Sequence, residues 1–478
     1  MSRLIVVSNR VAVPQPSTQP AAGGLAVALL AALRRYNGIW FGWSGKIGEA
    51  STTHSHIIKR GGVTFAVIDL AQDDYDTYYN GYANRSLWPL FHYRTDLVVY
   101  DRRFQQGYFR VNLLFARALA PLVQPDDMIW VHDYHLICCG EELRRMGMEQ
   151  RMGFFLHIPF PTPQILLTLP NHRAFVRALF AYDVLGFQTG SDLRALQDYV
   201  VEELGGRLED DGRLTAFGRT IQARAFPIGL DTDNFLHMAQ SAAARSHYTR
   251  MRRSLDGCQM IIGVDRLDYS KGLPQRLGDF ERLLELYPEN QGRVSLLQIA
   301  AASRQDVPEY GDIRAELEAV AGRINGRFAD IDWVPVRYQN KAVSRAALAG
   351  LCRASRIGLI TPYRDGMNLV AKEFVAAQNP DDPGVLVLSR FAGAATQLSG
   401  GALIVNPYDT QEVVDAIQRG LNLPLEERRE RWQRMMEVVR ACDVGWWRDA
   451  FVGCLLTCQE RPAAAGRLPE ALGGRRSG

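Results

Sequence analysis

The stretch TPYRDGMNLVAKEFVAA, residues 361–377, joins two patterns. Just before it, RIGLIT (356–361) is apolar and β-branched, as a buried strand would be. Beyond Gly366, the spacing of Leu369, Val370, Phe374 and Val375 predicts one face of a helix. Gly366 allows a close turn, and the N–H groups of Met367, Asn368 and Leu369 then lack helical partners. Such groups, aided by the helix dipole, suit phosphate oxygens. Asp365 would repel phosphate and suits sugar hydroxyls instead. Glu373, about two helical turns from the start, suits a ribose. One segment could thus hold hydroxyls, diphosphate and ribose in order along a nucleotide sugar. A capped amphipathic helix has the same pattern.

Other chemistry-bearing residues also follow apolar runs. Arg10 follows RLIVVS (3–8), and Gly23-Gly24 open an apolar helix where backbone could approach an anion or simply flex. Asp133 follows DMIWVH (127–132), either as a polar group at a strand mouth or as a helix N-cap. His132, His135 and His157 lack the spacing of a usual metal set. His157, before the stiff IPFPTP loop, fits a hydroxyl ligand, an acid–base group or a structural histidine. Arg266 and Lys271 follow QMIIGVDR (259–266), and Arg304 follows VSLLQIA (294–300). Three cations after neighbouring strands fit a phosphate clamp. They also fit a solvated basic face paired with Asp265 and Asp268.

These residues need strands to position them. Besides the runs named, VTFAVIDL (63–70), RMGFFLHI (151–158), DVLGFQ (183–188), IQARAFPIG (221–229), GVLVLSR (384–390) and ALIVNP (402–407) read as strands. Helical patterns lie between, at 173–182, 192–204, 272–287, 312–326 and 410–421. This alternation predicts an α/β chain of two Rossmann-like, doubly wound parallel-sheet domains, with ligands at strand ends in the cleft between them. The expected divisions are residues 1–232, residues 233–440, a helix at 441–460 crossing back, and a disordered tail at 461–478. Neither half repeats internally.

The bulk numbers agree. The chain has 478 residues, 47% hydrophobic and 22% charged, with net charge +3, too small to argue for nucleic acid. No apolar run approaches a membrane span, the N-terminal run reads as a strand rather than a signal segment, and the seven cysteines lack metal spacing. A cytoplasmic protein with reduced thiols is expected.

Together SNRV…GGLAVAL, YYNGYANRSLWPLFHY, WVHDYHL, GFFLHIPFPTP, AYDVLGFQT, FPIGLD, VDRLDYSKGLPQRL, AASRQDVPEY and TPYRDGMNLVAKE resemble the α,α-trehalose-phosphate synthase family, from about residue 3 to 455. The resemblance implies the GT-B glycosyltransferase fold. It implies glucose transfer, with retained configuration, from a nucleotide sugar, usually UDP-glucose, to glucose 6-phosphate. It places Arg10, Tyr79, Trp88, Asp133 and Arg304 at the acceptor. It places Gly23, Gly24, His157, Arg266, Lys271, Asp365, Met367, Asn368, Leu369 and Glu373 at the donor. Asp133, His157, Arg266, Lys271 and Asp365 would flank the reacting atoms. The resemblance implies no metal or other cofactor, no nucleic-acid or membrane partner, and allows a homo-oligomer such as a tetramer. Cys138-Cys139 and Tyr363 depart from the family's usual residues.

With no strong carboxylate nucleophile in view, the expected route is front-face attack, the leaving phosphate oxygen taking the acceptor's proton. Rival readings are a related glucosyltransferase using glycerol 3-phosphate, a pseudoglycosyltransferase, and a catalytically silent regulatory subunit, which should have lost donor-site groups. A Rossmann dehydrogenase would need a G-x-G-x-x-G fingerprint, absent here.

Overall fold

The computed structural model describes residues 2–11, 13, 24–302 and 308–458. Gly23, Arg304, the last residues of the 441–460 helix call (459–460) and the expected tail at 461–478 lie outside the described residues.

Two sheets carry the chain. The first contains β1 (Leu4–Arg10), β2 (Ile39–Gly48), β3 (His56–Arg60), β4 (Val63–Ala71), β5 (Met128–His132), β6 (Arg151–Phe155), β7 (Val184–Phe187), β8 (Arg207–Leu208), β9 (Arg213–Ala216) and β10 (Arg219–Ala225). Their order is β3-β4-β2-β1-β5-β6-β7-β10-β9-β8. From β4 across to β10 the pairs run parallel. The edges, where β3 meets β4 and β8–β9–β10 fold back, are antiparallel. The second sheet contains β11 (Gln259–Arg266), β12 (Val294–Ala301), β13 (Val336–Gln339), β14 (Ile357–Ile360), β15 (Val385–Ser389) and β16 (Leu403–Val405). Its order is β13-β12-β11-β14-β15-β16, all parallel.

Each run read as a strand contains one, but three readings ran too long. The strand read over 151–158 ends at Phe155, that over 221–229 at Ala225, and that over 402–407 at Val405. Pro227 and Pro407 stand two residues past the last two ends, and a residue without an N–H cannot continue a ladder. β2, β3, β8, β9 and β13 escaped the sequence reading. In β2 the reason is visible: a Cβ at Gly42 would lie 2.1 Å from the Ser8 carbonyl oxygen of β1. The close approach requires a glycine, and glycine weakens the strand signal.

Helix Val444–Thr457 returns from the second sheet to cover the first. Trp447 and Phe451 are fully buried, and Phe451 stacks on Trp130 of β5 at 4.5 Å. Cβ atoms at Gly153 and Gly186 would come within 2.7 and 2.8 Å of the Phe451 ring, so β6 and β7 are hollowed to seat it. The two chain crossings touch: the Val444 N–H donates to the Leu230 carbonyl at 3.0 Å, and a Cβ at Gly229 would strike the Cys442 carbonyl.

All seven cysteines are free thiols, and Cys138 and Cys139 are core residues. No helix among the described residues is long and apolar enough to cross a membrane.

Phe451→Ala should leave a cavity between helix and sheet and cost about 3–5 kcal/mol. The check is the thermal midpoint of the purified protein; an unchanged midpoint would show that the returning helix is not part of the cooperative core.

Candidate functional site

Arg10, exposed at the end of β1, lies with its guanidinium 5.7 Å from the Trp43 ring centre. Gly45 makes room for it, since a Cβ there would stand 2.8 Å from its nitrogens. Trp43 also meets Tyr79, with centroids 6.2 Å apart, and Tyr79 stacks on His135 at 5.7 Å. Tyr79 sits in an unusually wide helix, Tyr75–Leu87, of π type. At its end the Trp88 N–H donates to the carbonyl of Ala83, five residues back. π-helical turns are rare and concentrate at functional sites.

Trp88 reaches toward the second sheet. Its Nε1–H points to an Asp268 carboxylate oxygen at 3.4 Å, and the Arg266 guanidinium stands 5.6 Å from its ring centre. Two more cation–π contacts join the halves: Arg94 with Tyr269 at 5.6 Å, and Arg364 with Tyr93 at 3.6 Å.

Asp133 has φ 72° and ψ 165°, a conformation essentially reserved for glycine. Its N–H donates to the Phe155 carbonyl at 2.8 Å, and its carboxylate accepts from the His157 N–H at 3.2 Å. It makes no side-chain cap to the short turn that follows, so the N-cap alternative fails.

His157 Nε2 and His132 Nδ1 are 3.0 Å apart, a direct ring-to-ring hydrogen bond. The Gln188 side-chain carbonyl accepts from the Ile228 N–H, which turns the Gln188 amide nitrogen toward His157 Nδ1 at 3.4 Å. His157 Nδ1 must then accept, so its Nε2–H donates to His132. Burial holds His157 to about 3 and pushes His132 well below the ordinary imidazole range. Among the described residues no group of three His, Cys, Asp or Glu could hold a metal ion.

The opening segment folds as strand, turn and helix, but the helix starts at Leu369 and Asn368 is its cap. Asn368, at φ 75°, accepts from the Ala371 N–H at 3.1 Å and donates to Asp365 at 3.0 Å. Glu373 is therefore about one turn into the helix rather than two. It is buried, with Arg345 3.5 Å away; burial raises its carboxyl, opposed by that cation.

Lys271 Nζ binds Asp365 at 2.5 Å, pairing two residues expected at different parts of the donor. Burial would raise the Asp365 carboxyl, but the charge and hydrogen bond of Lys271 outweigh it and hold it below the usual range. A Cβ at Gly366 would fall 2.1 Å from the His157 carbonyl oxygen, so the two halves meet backbone to backbone here. This contact brings Asp365 and Lys271 beside His157 and Asp133. Gly24 begins helix Gly24–Arg35.

Asp265 and Lys271, two members of the basic-face alternative, have other partners. Asp265 pairs with Arg276 at 2.6 Å, and Asp268 accepts from Tyr310, Ser270 and Trp88. Arg276, fully buried, also donates to Thr361 Oγ1 at 3.1 Å and to the Lys271 carbonyl at 3.3 Å. The sequence reading missed it, although it occupies a core position of the Leu273, Leu277, Phe280 stripe. It also missed Trp43, Gln188 and His92. His92 is buried beside Trp88, and burial lowers it to about 4 against the opposing charge of Asp268.

Known proteins share this fold. The sequence model of glycosyltransferase family 20 matches residues 2–456. A trehalose-6-phosphate synthase of Sinorhizobium fredii is 51% identical over 463 residues, covering 96% of this chain and all of that one. A UDP-forming α,α-trehalose-phosphate synthase of Burkholderia xenovorans, solved with glucose 6-phosphate, is 50% identical with a TM-score of 0.90, over 95% of this chain and 100% of that one. The Escherichia coli protein solved with UDP-2-fluoro glucose is 46% identical with a TM-score of 0.92, over 96% and 100%. Two facing parallel-sheet units in the GT-B arrangement and a match over nearly the whole length place this chain in glycosyltransferase family 20.

Proposed function

We propose that this glycosyltransferase moves glucose from UDP-glucose to glucose 6-phosphate in the cytoplasm, forming α,α-trehalose 6-phosphate with retained configuration. The observation that carries the reading is the contact of Gly366 with His157, which sets the Lys271–Asp365 pair against the Asp133–His157 pair. The solved relatives, one with glucose 6-phosphate and one with a UDP-sugar analogue, supply the substrate classes.

In this reading residues 1–232 carry the acceptor site and residues 233–440 the donor site, and the helix within 441–460 ties them together. Arg10, Tyr79, Trp88 and Arg304 hold the acceptor, mainly by its phosphate. Gly23 and Gly24 approach the donor, Met367, Asn368 and Leu369 line its phosphates and sugar, and Glu373 takes its ribose. The acceptor hydroxyl attacks the anomeric carbon on the face from which the diphosphate departs. The C–O bond to the β-phosphate breaks as the new one forms, and the acceptor's proton passes to a leaving phosphate oxygen. Arg266, Lys271 and the helix start neutralise the departing charge, each contributing a few kcal/mol, which makes the step independent of a divalent metal. Asp133 and Asp365 serve as hydroxyl acceptors. Both carboxylates are already engaged, Asp133 by the His157 N–H and Asp365 by Lys271 and Asn368, which disfavours either as a nucleophile.

Purified protein given UDP-glucose and glucose 6-phosphate in EDTA should release UDP and α,α-trehalose 6-phosphate. A product formed only with glycerol 3-phosphate would replace the acceptor assignment. Donor binding without any product would favour a regulatory subunit.

Arg10→Ala should raise the KM for glucose 6-phosphate by about 10- to 100-fold, the loss of one charged hydrogen bond. Lys271→Ala should lower kcat by about 10²–10³. Equal losses in KM and kcat for both variants would contradict the division into acceptor and donor sites.

His157 and His92, held to about 3 and about 4, are neutral when folded. The unfolded chain takes up their protons below about pH 6.5, so stability should fall as pH drops from about 6.5 toward 4. Thermal midpoints across that range measure it, and His92→Asn should flatten the slope.

A further inference from the structure

Lys372 is a cation where the local fold disfavours one. It lies in the first turn of helix Leu369–Ala377, where the helix dipole opposes positive charge. It is 1% exposed, and among the described residues no carboxylate pairs with it. Burial pulls its ammonium down to about 7, opposed by Cys442. Its Nζ donates to the Ile228 carbonyl at 2.7 Å.

Ile228 belongs to the crossing between the halves, after β10 ends at Ala225 and before the next helix starts at Thr232. Its N–H donates to the Gln188 side-chain carbonyl at 3.0 Å, and the Gln188 amide nitrogen stands 3.4 Å from His157 Nδ1. Hydrogen bonds therefore run unbroken from Lys372 through Ile228 and Gln188 to the His157 imidazole, which ends on His132. Gly366, three residues before the same helix, meets the His157 carbonyl. One segment of the second half thus grips His157 twice: at its backbone through Gly366, and at its ring through Lys372. An apolar residue at 372 would avoid the desolvation, but it would take the donor from a buried carbonyl. Gly229 follows Ile228 and packs on the Cys442 carbonyl, so the Lys372 bond sits where the chain passes between the halves.

We propose that Lys372 is a positioning residue for glucosyl transfer. It fixes the crossing segment and, through Gln188, holds the His157 ring in the orientation and tautomer that meet the donor sugar. The link to transfer rests on the function proposed above; the hold on His157 does not.

Two readouts separate them. In full-length protein labelled with 15N-histidine, the His157 ring should show a protonated Nε2 and a bare Nδ1. Lys372→Met keeps the length of the side chain and removes the donor, and it should move the His157 resonances toward a mixture of tautomers. Lys372→Arg, which keeps a donor, should move them less. Gln188→Leu breaks the same run within the first half, and carries the same readouts should Lys372→Met fail to fold. In the transfer assay, Lys372→Met should lower kcat about 10- to 100-fold, with the KM for glucose 6-phosphate within about twofold of wild type. Gln188→Leu should act similarly, and the double variant should lose no more than the larger single loss. Unchanged His157 resonances in the folded variants would overturn the hold. Fully additive losses in kcat, or a loss confined to KM, would overturn the positioning role. Shifted His157 resonances in the variants, with no α,α-trehalose 6-phosphate made by the wild type, would support the hold and overturn the proposed function instead.

Discussion

One buried guanidinium organises the second sheet's share of the site. Arg276 has no exposed surface, and it joins Asp265 near the end of β11, Thr361 just after β14, and the carbonyl of Lys271 between them. The two strand ends and the turn that carry Arg266, Lys271 and Asp365 are therefore fixed relative to one another. A buried ion pair adds little net stability, because desolvation consumes most of the Coulombic gain. Its value lies in geometry: removing one partner would strand the other charge and release three segments at once. The Lys271–Asp365 pair is built on this support and inherits its precision.

The join between the halves is made differently. Gly366 rests on the His157 carbonyl, and Gly393 in turn packs on the Gly366 carbonyl, so three backbone segments stack where no side chain fits. Around this contact, Trp88, Tyr93 and Tyr269 each face an arginine from across the cleft or offer one a ring. Such contacts tolerate small changes in angle better than bidentate salt bridges do. Contacts of that kind let the two halves shift slightly without losing their join.

Much of this was legible in the sequence, for reasons that also mark where the reading stops. The parallel strands were readable because burial on both faces makes them continuous apolar runs, as in IIGV and VLVL. The strands β3, β8, β9 and β13, at or next to the sheet edges, are short or half-exposed and lack that signature. The site residues stood out as polar groups directly after apolar runs. Their partners did not. Lys271 and Asp365 are 94 positions apart, and Gln188 and His157 belong to different strand ends. Spacing along the chain carries no information about such pairs. Arg276 was the exception that could have been found, a charge on the apolar stripe of its helix. Tyr363, a departure from the family pattern, stacks on Tyr408 at 4.7 Å.

The backbone of Asp133 carries a consequence for engineering. Its φ of 72° with ψ of 165° would suit glycine, and holding an aspartate there costs about 1–3 kcal/mol. A search for thermostable variants that scored the fold alone would choose glycine at this position. The gain in melting temperature would come from deleting the carboxylate that the proposed function sets against the acceptor sugar. Under the proposed function, robustness and activity therefore pull in opposite directions at a single residue, and the native chain has settled on the strained side.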